Sequence, residues 1–223
     1  MLLALDTSTS QLGLALYDGE RLLAERLWVS KVRHTVELAP AVEQILQQSG
    51  LALSALTALG VALGPGSFTS LRVGLAFAKG LAFSLTLPLI GISTLAILAA
   101  PLTPTKDSAL ACLLSAGRGR LAVGWYEASA GGWQASAANP LVTTAEALAA
   151  EITSPTFLTG ELTGAERQIL TKNEKISLAS PAAAARRPGM LAELAWRRWQ
   201  AGESDPLAAL APIYLHVGPA IPG

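Results

Sequence analysis

Asp6-Thr7-Ser8-Thr9 follows a short apolar run, and Gly13 stands just inside the next one. A tight hairpin loop of this make-up can hold phosphate on its hydroxyls and backbone amides while the acid addresses a metal ion. The same residue types also stabilise turns through side-chain to backbone hydrogen bonds. Phosphoryl transfer of the kind that clamps metal and phosphates between two such loops needs a second acid. The stretch in the corresponding place, Leu114-Ser115-Ala116-Gly117-Arg118, contains no carboxylate, so neither a kinase nor an ATPase is expected. Aspartic-protease chemistry would need a glycine where Ser8 stands and a second such loop to share the proton. A serine hydrolase fails too, because Gly66-Ser67-Phe68-Thr69-Ser70 is not a nucleophile elbow. Ser67 reads instead as a helix cap. The two histidines, His34 and His216, do not form the one-turn pair that a helical metal site requires. His34, beside a helix start, reads as a local hydrogen-bonding residue. No catalytic residue, metal ligand or resident cofactor is expected, and the loop at Asp6, Thr7, Ser8, Thr9 and Gly13 reads as a vestige.

The densest signal is Gly64-Pro65-Gly66-Ser67-Phe68-Thr69-Ser70-Leu71-Arg72-Val73-Gly74, followed by Ala76, Ala78, Lys79 and Gly80. It is a glycine-rich turn leading into a helix whose free amides could bind an anion, yet no Lys-Ser or Lys-Thr completes a P-loop. Gly74 and Gly80 inside a helix each cost about 1 kcal/mol relative to alanine, which close packing must offset. Gly74, Ala78 and Ala82 form a small-residue stripe, while Arg72 and Lys79 lie one heptad apart on another face. Two readings stand side by side: a core helix, and an interface helix that hides apolar surface against a partner.

These residues are positioned by a simple order of elements. Leu2 to Leu5, Leu12 to Tyr17 and Arg21 to Val29 read as strands, with Asp18-Gly19 as the turn between the last two. A helix over Glu37 to Gln48 puts Leu38, Val42, Ile45 and Leu46 on one face and ends at Gly50. Pro40 lies too deep for a first-turn proline if Thr35 is the cap, so the helix either starts late or kinks. Leu56 to Leu63 is a fourth strand, Phe68 to about Phe83 a helix, and Leu87 to Ile92 a fifth strand. From Ser108 the pattern begins again, with strands at Leu110 to Leu114 and Leu121 to Tyr126 and a helix near Ala145 to Glu151. Weaker strands follow at Thr156 to Thr159 and Lys175 to Leu178. A helix spans Met190 to Ala201, with Pro188 before it and Gly202 after it. The tail from Pro212 to Gly223 is expected along the surface.

Of the 223 residues, 51% are apolar and 14% charged, against a norm of roughly a quarter charged, so much surface must be hidden inside or against a partner. Sixteen basic residues balance sixteen acidic ones, which argues against a stand-alone nucleic-acid binder. Cys112, the only cysteine, excludes an internal disulfide and suits a reducing compartment, hence a cytoplasmic address. Met1 to Leu5 lacks the features of a signal peptide. The uncharged run from Gly80 to Thr105 has the length of a membrane span, but Pro88, Gly91 and Pro101 interrupt it, and no membrane association is expected. The excess apolar surface points to a two-fold, helix-on-helix contact. Its candidate residues are His34, Leu38 and Val42 of the first helix with Ser67, Phe68, Leu71, Arg72, Gly74, Leu75, Ala78, Lys79 and Ala82 of the second.

The order strand, strand, strand, helix, strand, helix, strand resembles the ribonuclease-H-like half of the acetate kinase, sugar kinase, Hsp70 and actin superfamily, an α/β fold with mixed sheets flanked by helices that usually comes in pairs. The expected division is a lobe at 1–105 carrying the interface helices and a smaller, degenerate lobe at 106–223. The glycine-rich segment closely resembles the Gly-Pro-Gly-Ser-Phe-Thr-Gly-x-Arg-x-Gly signature of the TsaB (YeaZ-like, glycoprotease-like) family. Asp6-Thr7-Ser8, His34-Thr35, Pro40, Pro88 before Leu89-Ile90-Gly91-Ile92-Ser93-Thr94-Leu95, Arg118 and Pro212-Ile213-Tyr214-Leu215 agree with that family. Ser70 replaces its usual glycine, and Ala116-Gly117 replaces an Asp-Ala pair. The resemblance is strong to about residue 100 and thin afterwards.

The resemblance implies a subunit without its own catalytic site, forming a homodimer alone and a heterodimer with the catalytic paralogue TsaD, which the ATPase TsaE then joins. Transfer of threonylcarbamoyl from its adenylate to adenosine 37 of tRNAs reading A-starting codons would be done by the paralogue. Contact with tRNA would come through the complex, and nucleotide would sit only at the joint interface. The rival reading is a metal-dependent peptidase or ATPase of the same fold.

Overall fold

The computed structural model describes residues 1–30, 34–105 and 108–215, with only the backbone of His34. His216 and the tail beyond it lie outside the described residues. The chain forms two compact units, one of Met1–Ile97 with Arg186–Ile213 and the other of Leu98–Ala185 with Tyr214 and Leu215. The second unit is therefore not one continuous stretch of chain. Residues 186–213 return to the first unit, because the helix they carry packs its apolar side on one face of the first sheet.

In the first unit, strands β1 (Leu2–Asp6), β2 (Gln11–Tyr17) and β3 (Leu22–Val29) form an antiparallel meander, followed by α1 (His34–Gln48), β4 (Ala58–Gly64), α2 (Phe68–Leu85), β5 (Leu89–Ser93) and α3 (Thr94–Ala99). The sheet order is β3-β2-β1-β4-β5, with β1 antiparallel to β2 and parallel to β4. Successive side chains on a strand face opposite ways, and both faces here are apolar. Leu3, Leu5, Leu14 and Leu16 pack with Leu38, Val42, Leu75, Ala78 and Ala82 under α1 and α2. Leu2, Ala4, Ala15, Ala58 and Ala62 pack with Leu191, Ala192 and Ala195 of α6 (Pro188–Gln200) on the other face. The second set is mostly alanine, so α6 comes close: a Cβ on Gly60 would lie 2.8 Å from the Ala195 Cβ.

The helix α1 begins at His34 and runs through Pro40, which places Thr35 inside it rather than at the cap. Two contacts bind α1 to the edge strand: Trp28 Nε1 donates to Glu37 Oε2 at 2.9 Å, and Arg26 Nη1 donates to Gln44 Oε1 at 2.6 Å. The opposite edge, β5, is closed by the returning segment. Asp205 N donates to Leu89 O at 2.9 Å, Gly91 N donates to Asp205 Oδ2 at 2.7 Å, and Arg198 Nη1 donates to Gly91 O at 2.8 Å. An edge strand otherwise offers unpaired N–H and C=O groups to any other chain, and here a carboxylate accepts the N–H of Gly91 and a guanidinium donates to its carbonyl. The Gly80 to Thr105 run resolves into the end of α2, β5 and α3. The helix α2 has the length and hydropathy to cross a bilayer, but its Gly74, Ala78 and Ala82 are buried.

The second unit repeats the plan with β6 (Ala109–Gly117), β7 (Arg120–Ser129), β8 (Gly132–Ala135), β9 (Leu141–Thr143), α4 (Ala145–Glu151), β10 (Thr156–Gly160), α5 (Gly164–Leu170) and β11 (Ile176–Leu178). Its order β11-β10-β6-β7-β8, with β9 on β7, is the first sheet's order over again. Both units are ribonuclease-H-like lobes. Side-chain caps start both helices: Thr144 accepts from Ala147 N, and Thr163 and Glu166 make a reciprocal capping box. The hairpin between β6 and β7 turns on Arg118-Gly119, and Arg118 takes a positive φ of 54° that few non-glycine residues adopt. Cys112 is fully buried in β6, and burial pushes its thiol well above the ordinary range. Since the thiolate is the reactive form, a thiol reagent such as Ellman's disulfide is expected to leave Cys112 unmodified in the folded chain and to react fully in denaturant. Reaction in native buffer at the rate of a free thiol would contradict this burial.

Candidate functional site

The loop between β1 and β2 is built by three segments that meet on it. Asp6, Thr7, Ser8 and Thr9 are all buried. Ser8 N donates to Asp6 Oδ1 at 2.8 Å, which makes the tight local turn that Asp favours. The glycine-rich segment then closes over the loop. Ser67 N donates to Ser8 O at 2.7 Å, Thr7 Oγ1 donates to Ser70 O at 2.8 Å, and Ser8 Oγ lies 2.7 Å from Thr94 Oγ1. Thr94 also accepts from Gly64 N at 3.0 Å.

Two signature glycines are demanded by this closure. A Cβ on Gly66 would sit 2.1 Å from Ser8 O, and one on Gly74 would sit 2.0 Å from Thr7 Oγ1. The Gly74 cost inside a helix is thus offset by the seating of α2 directly on the loop. Ser70, in place of the family's glycine, is accommodated: it is buried and its hydroxyl donates to Ser67 Oγ at 3.0 Å.

The third segment supplies a residue that sequence reasoning missed. Arg186, at 0% side-chain exposure, donates from Nε to Asp6 Oδ2 at 2.8 Å. Its Nη2 donates to Thr9 Oγ1 and to Gln11 O, each at 3.0 Å. The adjacent Pro188 fills the space over Gly13, whose Cβ would lie 3.0 Å from the proline Cβ. Gly189 N donates to Glu25 Oε1 at 2.8 Å, and Arg187 pairs with Glu25. A lone acid inside an apolar strand end needs a buried counter-cation. That was the available signal, and Arg186-Arg187 ahead of a Pro-Gly helix start was the place to find it.

The fit of a metal ion and phosphate to this loop can therefore be judged. Both Asp6 oxygens are occupied, one by an amide and one by a guanidinium, and the Thr7, Ser8 and Thr9 hydroxyls are engaged within the unit. A cation next to Arg186 would meet a like charge, and a phosphate would have to displace buried protein bonds. The loop does not fit the group that its sequence suggests. Among the described residues no cluster of three or more His, Cys, Asp or Glu could hold a metal ion.

The helices α1 and α2 each have an inner and an outer face. Leu38, Val42, Leu71, Gly74, Leu75, Ala78 and Ala82 are buried within the unit, so the small-residue stripe seats α2 on its own sheet. Those seven residues are corrected from candidate contact surface to core. The outer face is made by other side chains. Phe68 is 52% exposed and Phe83 81%, and Arg72 lies over the Phe68 ring at 3.7 Å. Ser67 and Arg72 are exposed and Lys79 half-buried. An apolar groove of about 320 Å³ runs between α1 and α2, floored by Val42, Leu46, Leu51, Phe77 and Leu81. At the starts of α1 and α2 lies a second cleft of about 510 Å³, lined by Ser10, Ser30, Thr35, Ser67, Thr69, Ser70 and Val73. Among the described residues its lining offers hydroxyls but no acid, base or thiol.

Comparison with known proteins agrees with this geometry. The family model described as TsaD: tRNA N6-adenosine threonylcarbamoyltransferase matches residues 28–205. The tRNA threonylcarbamoyladenosine biosynthesis protein TsaB of Bacillus subtilis is 37% identical over 126 residues, 56% of this chain and 55% of its own length. The protein of the same name from Haemophilus influenzae is 46% identical over 99 residues, 44% of this chain and 41% of its own. The chain thus aligns with about half the length of these curated relatives. The solved structure of YeaZ from Pseudomonas aeruginosa superposes with a TM-score of 0.77 at 29% identity, covering 96% of this chain and 99% of that one. With the family model spanning most of the sequence and the same two-lobed fold in its relatives, the chain belongs to the TsaD/glycoprotease family, as a protein of the TsaB/YeaZ type.

Proposed function

We propose that this chain is a non-catalytic scaffold and activator subunit in the biosynthesis of threonylcarbamoyladenosine in tRNA, acting in the cytoplasm. In this reading it is a homodimer alone and pairs with the catalytic paralogue TsaD, and the ATPase TsaE joins the pair. The paralogue modifies adenosine 37 of tRNAs reading A-starting codons. Nucleotide, where it enters, belongs to the joint interface. The observation that carries the reading is the filled loop: Arg186 occupies the only acid of the phosphate hairpin, which takes away the metal anchor that phosphoryl transfer in this fold requires. The exposed Phe68 and Phe83 support the partner-binding part, since aromatic residues are enriched at interface centres.

The test is reconstitution. Purified paralogue, ATPase, activated donor and tRNA should form the modified nucleoside only when this chain is added. The chain alone should turn over neither magnesium ATP nor peptide. Turnover by the isolated chain that disappears in Asp6→Ala would instead establish the peptidase or ATPase reading.

A further inference from the structure

Three oxygens of one hairpin loop converge on the Arg186 guanidinium: a carboxylate at Asp6, a hydroxyl at Thr9 and a carbonyl at Gln11. That donor set is the kind a hard cation takes. It is filled by a side chain reaching in from 180 residues away along the chain, with no exposed surface on the guanidinium side chain and 3% on the acid. The loop in turn fixes the start of α2. Ser8 lies between the two arms, with its N–H on Asp6 and its carbonyl receiving the Ser67 N–H.

We propose that Arg186 is a built-in cation. It takes the place that a dissociable ion would hold in the Asp6 loop, and so keeps the loop and the first turn of α2 in one geometry with no ligand bound. The consequence is specific. Removing the guanidinium leaves a cavity of its size and charge preference, which an external cation can enter. A residue that only filled space would leave a cavity with no preference for charge. A planar fork of N–H donors matches these three acceptors better than a point charge does, so a small guanidinium compound is the best surrogate and a magnesium ion a weaker one. This inference concerns the isolated chain and stands apart from the tRNA reading, since its test needs no partner.

The experiment is thermal unfolding of the full chain and its Arg186→Ala variant, each with methylguanidinium, magnesium or the neutral isostere N-methylurea at millimolar concentration. Loss of one partner of a buried ion pair should lower the variant's Tm by about 10 °C. Methylguanidinium should restore much of that shift in the variant and none in the parent chain, while N-methylurea restores nothing. Recovery with magnesium alone supports the same cation role. Recovery with neither cation overturns the proposal, as does equal recovery with N-methylurea. Should Arg186→Ala fail to fold, the double variant Asp6→Asn with Arg186→Met decides. The proposal requires it to fold where the single variant does not, because no buried charge then lacks a partner, and a double variant equally unable to fold overturns it.

Discussion

Replacing Gly66 with alanine should destabilise the first unit by at least about 3 kcal/mol, the upper part of the range for overpacking a close contact. The added Cβ would stand 2.1 Å from Ser8 O and 2.9 Å from Ser8 C. Those are backbone atoms of a loop pinned on three sides, so neither can turn away as a side chain would. Gly74→Ala is the instructive contrast. Alanine gains about 1 kcal/mol of helix propensity over glycine, but the new Cβ would lie 2.0 Å from Thr7 Oγ1. Relieving it means rotating Thr7 off Ser70 O, a loss of about 1 kcal/mol for the bond before any strain is counted. The net effect should be destabilising and smaller than for Gly66→Ala. Adding Thr7→Ala to Gly74→Ala should recover part of the loss. Urea unfolding measures all three variants, and a Gly66→Ala midpoint equal to the parent's would show that the loop is not closed in this way.

The second large effect separates the two faces of α2. Ala78 has 0% exposure, so Ala78→Asp buries a charge with no partner, at a cost of several kcal/mol. It should unfold the first unit. Phe83 is 81% exposed, so Phe83→Asp, with or without Phe68→Asp, should leave stability within about 0.5 kcal/mol. If the outer face is the contact surface, the double variant removes two aromatic anchors, each worth about 2 kcal/mol or more at the centre of an interface. Self-association should then weaken roughly a thousandfold. Sedimentation at micromolar concentration, with circular dichroism on the same samples, reads both quantities. A folded, dimeric Phe68→Asp/Phe83→Asp chain would put the contact elsewhere.

The element order of both lobes could be read from hydrophobic periodicity because both sheets are flanked by amphipathic segments of ordinary length. The N-terminal strands and α2 fall within a residue or two of expectation. The misses have local causes. The helix α3 begins at Thr94 directly after β5, with no turn residue to mark the change. The strands β8 and β9, of four and three residues, are too short to show a period. The helix α5 announces itself only through Thr163 and Glu166, whose capping box opens a seven-residue helix with few apolar positions. The face of α2 that turns inward could not be decided from its sequence, because glycine and alanine suit a tightly seated core helix as well as a close interface. Arg186 left no periodic trace for a different reason: the Asp6 pairing joins positions 180 apart, so only the need of a buried acid for a counter-charge pointed to it.

The return of residues 186–213 to the first unit sets an order of events during synthesis. The second unit's core residues all lie between Ala111 and Leu178, so that lobe has its whole core before Arg186 is made. Asp6 is made early but waits 180 residues for its counter-charge, which at about 5–20 residues per second is roughly 10 to 40 s. Throughout that interval the alanine-rich face of the first sheet lacks α6. The lobe that begins first is therefore the one whose core is completed last, and it spends the interval as a nascent sheet with one face lacking α6 and an unpaired acid.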